Sequence, residues 1–426
     1  MKRTITIFLL LLCSMAALAQ IRGSEVRVVV SPSHADWQYS LGEECTFTVQ
    51  VLRAQNLLPG VTVDYELGPE MYPSETRQGV VLKDGTLTLS GSMDTAGFLR
   101  CKVTAHVDGY DYVGLATAGY APETLLPTTG MPEDFESFWS YTLDKARQTP
   151  LNLQMRLLPE RCTELDNVYE VSYNTTEWGK KFYGILSIPK AEGSYPALLR
   201  VPGAGARPYS GDTYTGSGKL IVLEVGIHGI SVTLPQSVYD DLNNSALYGY
   251  QNYIRDNRDQ FYYNRVVVGA LRGVDVICSL PQYNGKALGV TGSSQGGALS
   301  IITAALDSRV TCLAPVHPAL CDLEGYFAGR ACGWPHYYYY SQGGTDAQRY
   351  TTRYYDTANF ARLVKVPGWY SWGYNDEVCP PTSMYAAYNV ITAPKELHLY
   401  LETGHYWYQE QWDTWLEWLR LQLGIQ

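Results

Sequence analysis

The chain has 426 residues, more than one domain usually holds, and 46% hydrophobic against 17% charged residues, which allows a large core and excludes wholesale disorder. Its net charge is −10, with no long basic run, which argues against nucleic acid or an anionic membrane as partner and leaves room for a neutral or cationic substrate. The 35 tyrosines and 10 tryptophans could offer stacking surfaces to sugars, although most such rings fill a core and its rim.

The first 19 residues read as a signal peptide. Lys2-Arg3 is the charged start, residues 7–12 are an unbroken apolar core, and Ala17-Leu18-Ala19 fits a small-x-small cleavage site. The apolar stretch is shorter than the ~20 residues a membrane span needs. Leu12 is larger than the residue that usually precedes a lipid-anchor cysteine such as Cys13. No later segment looks transmembrane, so a soluble, secreted or periplasmic protein starting near Gln20 is expected. Export permits disulfides. The cysteines form no Cys-x-x-Cys pair, so no structural zinc is suggested. Cys45 and Cys101 either bridge two strands or stay as buried thiols.

From residue 25 to about 117 the chain is strand-like. Residues 46–51, 61–67, 86–89 and 99–106 alternate with period two, and 25–30 alternates at first. Turn signals such as Leu58-Pro59-Gly60, Lys83-Asp84-Gly85 and Val107-Asp108-Gly109 separate the runs. This pattern predicts an immunoglobulin-like β-sandwich over residues 20–120. It holds no cluster of ionisable residues, so chemistry is not expected there. Residues 121–131 read as a linker opening the remainder, 121–426.

Pro132-Glu133-Asp134 then starts a helix with Phe135, Phe138, Trp139 and Leu143 on one face. Beyond it, apolar strand-like runs at 182–188, 197–201, 220–225, 287–291, 312–316, 368–372 and 397–401 alternate with helical stretches. That order predicts an α/β fold with a mostly parallel sheet covered by helices on both faces.

The strongest local signal is Gly292-Ser293-Ser294-Gln295-Gly296-Gly297. A buried strand precedes it and a helix-compatible run follows, the context in which Gly-x-Ser-x-Gly forms the nucleophile elbow of an α/β-hydrolase. The turn is too tight for side chains at the glycines, and it lifts the Ser294 hydroxyl clear of the sheet. The helix N-terminus behind it adds positive potential where an oxyanion would form.

A serine hydroxyl needs a base. In this fold the order along the chain is Ser, acid, His, with the last two on loops after later strands. His405 fits, because it follows the run 397–401 and Gly404 lets the loop turn back. His398 lies within that strand, His34 and His106 lie in the sandwich, and His317 ends the strand after the elbow helix. His228 and His336 have no acid well placed after the serine. Asp376 follows the run 368–372 and is the expected carboxylate, with Glu377 as runner-up. Asp376 stands 82 residues after Ser294, and His405 a further 29 on, which places all three loops at one edge of the sheet. The expected oxyanion donors are the backbone N–H groups of Gln295 and, from Pro202-Gly203-Ala204-Gly205-Ala206, of Ala204. No phosphate loop, dinucleotide fingerprint or metal-binding histidine pair occurs, so no cofactor is implied.

From about Met131 onward the chain resembles the acetyl xylan esterase and cephalosporin C deacetylase family of carbohydrate esterases. The resemblance rests on Asp134-Phe135-Glu136-Ser137-Phe138-Trp139, Ser279-Leu280-Pro281, Val290-Thr291-Gly292-Ser293-Ser294-Gln295-Gly296-Gly297, Ala304-Ala305-Leu306-Asp307-Ser308-Arg309-Val310 and Asn375-Asp376-Glu377-Val378-Cys379-Pro380-Pro381. It implies removal of acetyl groups from sugars through a triad of Ser294, Asp376 and His405. The family usually carries Arg-Gly-Gln where this chain reads Glu224-Val225-Gly226-Ile227-His228-Gly229, and Glu where it has Tyr406. The family's ring-shaped hexamer leaves a homo-oligomer open for this chain. The expected substrate is an acetylated carbohydrate or similar small ester. The tyrosine-rich segment 321–360 is expected as a lid. The rival readings are a peptidase or lipase on the same fold, or an inactive sugar-binding protein.

Overall fold

The structure, a computed structural model, describes residues 25–176 and 180–425. The export leader read over residues 1–19 lies outside the described residues. The chain divides into two compact units, with the boundary between Thr124 and Leu125.

The first unit is built of strands β1 (Val26–Pro32), β2 (Gln38–Tyr39), β3 (Cys45–Arg53), β4 (Asn56–Leu57), β5 (Val61–Pro69), β6 (Glu75–Leu82), β7 (Thr86–Gly91), β8 (Gly97–Val107) and β9 (Tyr110–Tyr120). They form a four-stranded sheet, β1-β3-β4 with β7 on β3, and a five-stranded sheet, β2-β9-β8-β5-β6. Alternation sets which face is buried: Cys45, Phe47, Val49 and Val51 point inward from β3, and Cys101, Val103 and Ala105 from β8. The sheets meet closely enough that a Cβ on Gly114 would collide with the Val28 carbonyl oxygen. Strand β6 is an edge strand whose residues are mostly exposed, so no hydrophobic alternation announces it. Cys45 and Cys101 are buried free thiols, which burial pushes up to about 11 and about 12.

In the second unit, strands β10 (Gln154–Leu157), β11 (Asp166–Asn174), β12 (Lys181–Pro189), β13 (Tyr195–Arg200), β14 (Ile221–Gly226), β15 (Tyr283–Ser293), β16 (Cys312–Val316), β17 (Gly368–Trp372) and β18 (Lys395–Leu399) form one sheet. Its order is β10-β11-β12-β14-β13-β15-β16-β17-β18. The pairs from β10 to β14 are antiparallel; those from β14 through β13 to β18 are parallel. Every residue of β16 and β17 is buried, which is why both read as continuous apolar runs. Strand β10 is an exposed edge and carries no such signal. Strand β18 begins and ends two residues earlier than the sequence suggests, because its pairing with β17 runs out at Trp372 opposite Leu399.

Helices cover the sheet. Helix α1 (Phe135–Arg147) buries Phe135, Phe138, Trp139 and Leu143 as its spacing predicts. Helix α2 (Tyr262–Ser279) lies close on β12, where a Cβ on Gly269 would strike the Phe182 ring. Helix α3 (Gln295–Leu306) is buried through Ala304. Helix α4 (Gln409–Leu423) packs Trp415, Trp418, Leu419 and Leu423 onto Leu198, Val222, Ala314, Val316 and Trp369. Charge ties three helices together: Asp307 after α3 pairs with Arg147 of α1 at 2.6 Å, and Asp275 of α2 pairs with Arg272 at 2.6 Å and with Arg309.

Of the stretch expected as a linker, residues 125–130 are anchored in the second unit. Thr128 and Thr129 donate their N–H groups to Asp322 Oδ1 at 2.6 and 3.0 Å, and the Gly130 carbonyl accepts from Asn359 at 3.1 Å.

Candidate active site

Strand β15 ends at Ser293 and α3 begins at Gln295, so Ser294 sits alone in the turn with φ 63° and ψ −123°. That backbone is costly for a residue with a side chain and persists because its surroundings hold it. Ser294 donates its N–H to the Val316 carbonyl at 3.0 Å, and its own carbonyl accepts from Ala298 at 3.1 Å and Ala319 at 3.0 Å. Gly292 and Gly296 are required by space: a Cβ on either would collide with the Val201 carbonyl oxygen.

His405 and Asp376 come together at the same edge of the sheet. His405 Nδ1 and Asp376 Oδ2 are 2.8 Å apart, and Asp376 Oδ1 accepts the N–H groups of Val378 and Cys379, both at 2.8 Å. Asp376 is fully buried, whereas Glu377 is exposed, so the carboxylate that meets the imidazole is Asp376. A Cβ on Gly373 would collide with the Thr403 carbonyl, which shows how tightly the loops bearing Asp376 and His405 pack. Among the described residues no hydrogen bond joins Ser294 to His405; the Ser294 hydroxyl lies beside the Cys379 thiol. Catalytic hydrogen bonds of this kind commonly tighten only when substrate arrives.

The neighbouring serine makes a different contact. Ser293 Oγ and His317 Nε2 are 2.5 Å apart, and Trp407 Nε1 donates to the same oxygen at 3.5 Å. Burial, followed by the nearby His405, pushes His317 down to about 3. Ser293 is the last residue of β15 and not the strained turn residue, and burial weakens His317 as a base, so the nucleophile's position in the elbow falls to Ser294. Two other histidines, His228 and His336, make different hydrogen bonds. Burial pushes His228 down to about 4, and its Nδ1 meets the Tyr262 hydroxyl at 2.7 Å. His336 Nδ1 lies 2.8 Å from the Cys332 carbonyl.

Gln295 opens α3, so its N–H is one of the first-turn amides without an intrahelical acceptor. Its side chain has a role that sequence reasoning missed. Gln295 Oε1 accepts from the Tyr250 and Tyr263 hydroxyls at 2.5 and 2.8 Å, and Nε2 donates to the Pro202 and Gly203 carbonyls at 3.3 and 3.4 Å. The loop carrying Ala204 is thereby tied to the elbow. Asn243 holds its far end, accepting from Ala206 N–H at 2.9 Å and donating to the Ala206 carbonyl at 2.8 Å. No spacing signal could have found Tyr250, Tyr263 or Asn243, since their roles depend on the path of loops over the sheet.

A cavity of about 450 Å³ opens beside the elbow among Gly203, Arg207, Glu224, Ser293, Trp407 and Trp412. Burial raises the Glu224 carboxyl above its ordinary range. Tyr406, where the family usually has glutamate, is exposed.

His317, Asp376 and His405 offer donor atoms within 4.8 Å of one another. The two imidazoles are in contact and tilted, with centroids 4.1 Å apart and planes inclined by 39°. Asp376 Oδ2 is engaged by His405 Nδ1 and Oδ1 by two amides, and His317 Nε2 by Ser293 Oγ. The arrangement suits proton transfer better than metal coordination.

The tyrosine-rich segment 321–360 differs from the expected lid. Tyr337, Tyr338, Tyr354 and Tyr355 are buried. The Tyr337 hydroxyl donates to the Gln251 carbonyl at 2.7 Å, and the Tyr354 and Tyr355 hydroxyls bind Asp134 and the Arg258 carbonyl. These rings fill the core because each can bury its face while its hydroxyl finds a partner. The part that reaches the site is near His336, whose ring lies by the Val378 carbonyl.

Comparison with known proteins agrees with this geometry. The family model for acetyl xylan esterase (AXE1) matches residues 123–421. The chain is 38% identical over 399 residues to the acetyl esterase Axe7A of Xylanibacter ruminicola, covering 92% of this chain and 90% of that protein. Among solved structures it is similar to the acetyl xylan esterase from Paenibacillus sp. R4, with TM-score 0.62 and 26% identity over 71% of this chain and 98% of that chain. It also shares its fold with acetyl xylan esterase 1 from Thermoanaerobacterium sp. JW/SL YS485, with TM-score 0.59 and 23% identity over 70% of this chain and 96% of that chain. The strained serine, the histidine–aspartate pair and these similarities agree: the chain belongs to the acetyl xylan esterase family and is a carboxylic ester hydrolase of the α/β-hydrolase fold.

Proposed function

We propose that the protein is an exported serine esterase that removes acetyl groups from carbohydrates. Ser294 is the nucleophile, His405 the base and then the acid, and Asp376 the residue that orients His405; the N–H groups of Gln295 and Ala204 receive the oxyanion. The observation that carries this reading is the strained Ser294 turn at the same sheet edge as the 2.8 Å His405–Asp376 contact.

The steps follow from those positions. His405 Nε2 takes the hydroxyl proton as Ser294 Oγ attacks the acetyl carbonyl carbon. The two N–H groups meet the negative oxygen of the tetrahedral intermediate. Its collapse breaks the bond to the sugar oxygen, which leaves with the proton from His405, and an acetyl-enzyme remains. Water, deprotonated by His405, attacks that ester, and acetate departs as the proton returns to Ser294. Asp376 holds the imidazole tautomer and steadies the imidazolium.

A sugar leaving group is supported by the family and by the acetyl esterase relative. The export reading rests on residues 1–19.

Acetate release from a panel of acetylated sugars, beside acetyl, butyryl and octanoyl esters of one leaving group, tests the reading. The deacetylase should release acetate and prefer the acetyl ester. An open apolar groove would instead gain roughly 0.8 kcal/mol for each added methylene. A kcat/KM that climbs steadily with acyl length would establish a lipase. Sugar binding without release of any acid would establish an inactive binding protein.

A further inference from the structure

His317 is held in an unusual way for a residue the proposed chemistry does not use. It leaves β16 with φ 30°, a left-handed backbone that side chains seldom adopt. Its N–H donates to the Ser371 carbonyl at 2.8 Å. Its ring is 2% exposed, and Nδ1 is buried with no hydrogen-bond partner among the described residues. An unpartnered buried nitrogen and a strained backbone both cost stability, so packing alone would favour an apolar residue here.

What the imidazole does have is a tether and a neighbour. Nε2 meets Ser293 Oγ at 2.5 Å, and Trp407, two residues beyond His405, donates to that same oxygen at 3.5 Å. The ring lies against the His405 ring, centroids 4.1 Å apart. We infer that His317 is a positioning residue of the hydrolytic site: its buried imidazole, tied to Ser293, is the wall on which the His405 ring rests and the aromatic face that stabilises that ring when turnover makes it an imidazolium.

The inference rests on His405 being the base. Turnover protonates His405 in both half-reactions, and an aromatic face attracts a cation lying against it. Burial keeps His317 itself neutral, since its ring is pushed down to about 3, so the two rings do not repel during turnover. The titratable groups clustered with His405 among the described residues are Asp376, from the loop after β17, and His317, from the end of β16; those acting on His317 are His405 and Asp376. Removing the His317 face leaves the imidazolium less stable. His405 would then hold its proton less tightly, and the acid limb of the rate profile would move to lower pH.

The test uses the full chain and 4-nitrophenyl acetate across pH 5 to 9, with wild type, His317→Leu, Ser293→Ala and His405→Ala, and a thermal melt of each. His317→Leu should lose roughly tenfold or more in kcat, with KM within about threefold and the acid limb displaced downward. Ser293→Ala, which cuts the tether and keeps the ring, should move both in the same direction by less. A folded His317→Leu protein with kcat or acid limb unchanged overturns the inference. If His317→Leu does not fold, Ser293→Ala decides by the same two readouts. An unimpaired His405→Ala would instead overturn the triad itself.

Discussion

Two adjacent serines stand at the elbow, and their surroundings separate them. Ser294 occupies the positive-φ turn with its hydroxyl beside the Cys379 thiol, on the loop that carries Asp376, whereas Ser293 is spent on His317 and Trp407. Ser294→Ala should therefore lower kcat for a small acetyl ester by on the order of 10³–10⁶ with the fold retained, because it deletes one oxygen and with it the covalent route. Steady-state rates and circular dichroism check this. Near-normal turnover by the folded variant would remove the central assignment. The same logic explains why Asp376 and not Glu377 meets the imidazole: both of its oxygens are engaged, one by His405 and one by two backbone amides.

At the scale of elements, the segment 321–360 is held by buried carboxylates. Asp356 caps the short helix Thr357–Ala361 and accepts the N–H groups of Asp322, Leu323 and Ala358 at 3.0, 2.6 and 2.8 Å. Asp322 in turn holds residues 128 and 129 and pairs with Arg330 at 2.5 Å. Burial, then the neighbouring Asp322, pushes Asp356 up to about 7. An unfolded aspartate titrates near 3.9. The folded state thus binds this proton more tightly, and its contribution to stability is full below pH ~4 and lost as pH rises through 7. Asp356→Asn removes that dependence, so its melting temperature should gain on wild type between pH 4 and 8, by roughly 2–4 °C for each kcal/mol of linkage. Melting curves at four pH values measure it. Parallel curves for the two proteins would show that Asp356 is ionised throughout.

For the molecule as a whole, the parallel order β13-β15-β16-β17-β18 brings the loop of Ala204, the elbow, His317, Asp376 and His405 to one edge of one sheet. All of these belong to the unit that starts at Leu125. The anchors of residues 125–130 lie within it too, including the bond from Asn389 to the Leu125 carbonyl at 2.9 Å. A chain beginning at Ala121 keeps every one of those contacts and should hydrolyse acetyl esters with kcat/KM within about threefold of the full protein, since an interaction made only by the sandwich would have to reach the transition state to change it. A folded truncation without activity would show that the sandwich shapes the site.

The sequence by itself determined whatever depends on local pattern. Strands buried on both faces, such as β16 and β17, are continuous apolar runs, and the elbow needs glycines at fixed offsets, so both are legible without a fold. The candidate residues Ser294, Asp376 and His405 follow from that pattern and from chain order. Tertiary structure decided what depends on which distant segments meet. Exposed edges such as β6 and β10 bury too little to impose a period. The tyrosines of 321–360 look like a surface until Asp134, Gln251 and Arg258 are seen to receive their hydroxyls. Ser293 meets Trp407 across 114 residues, and Gln295 ties Tyr250 to Pro202 across the elbow. Those contacts exist because the sheet places far-apart loops side by side, and period and spacing along the chain carry no record of sheet order.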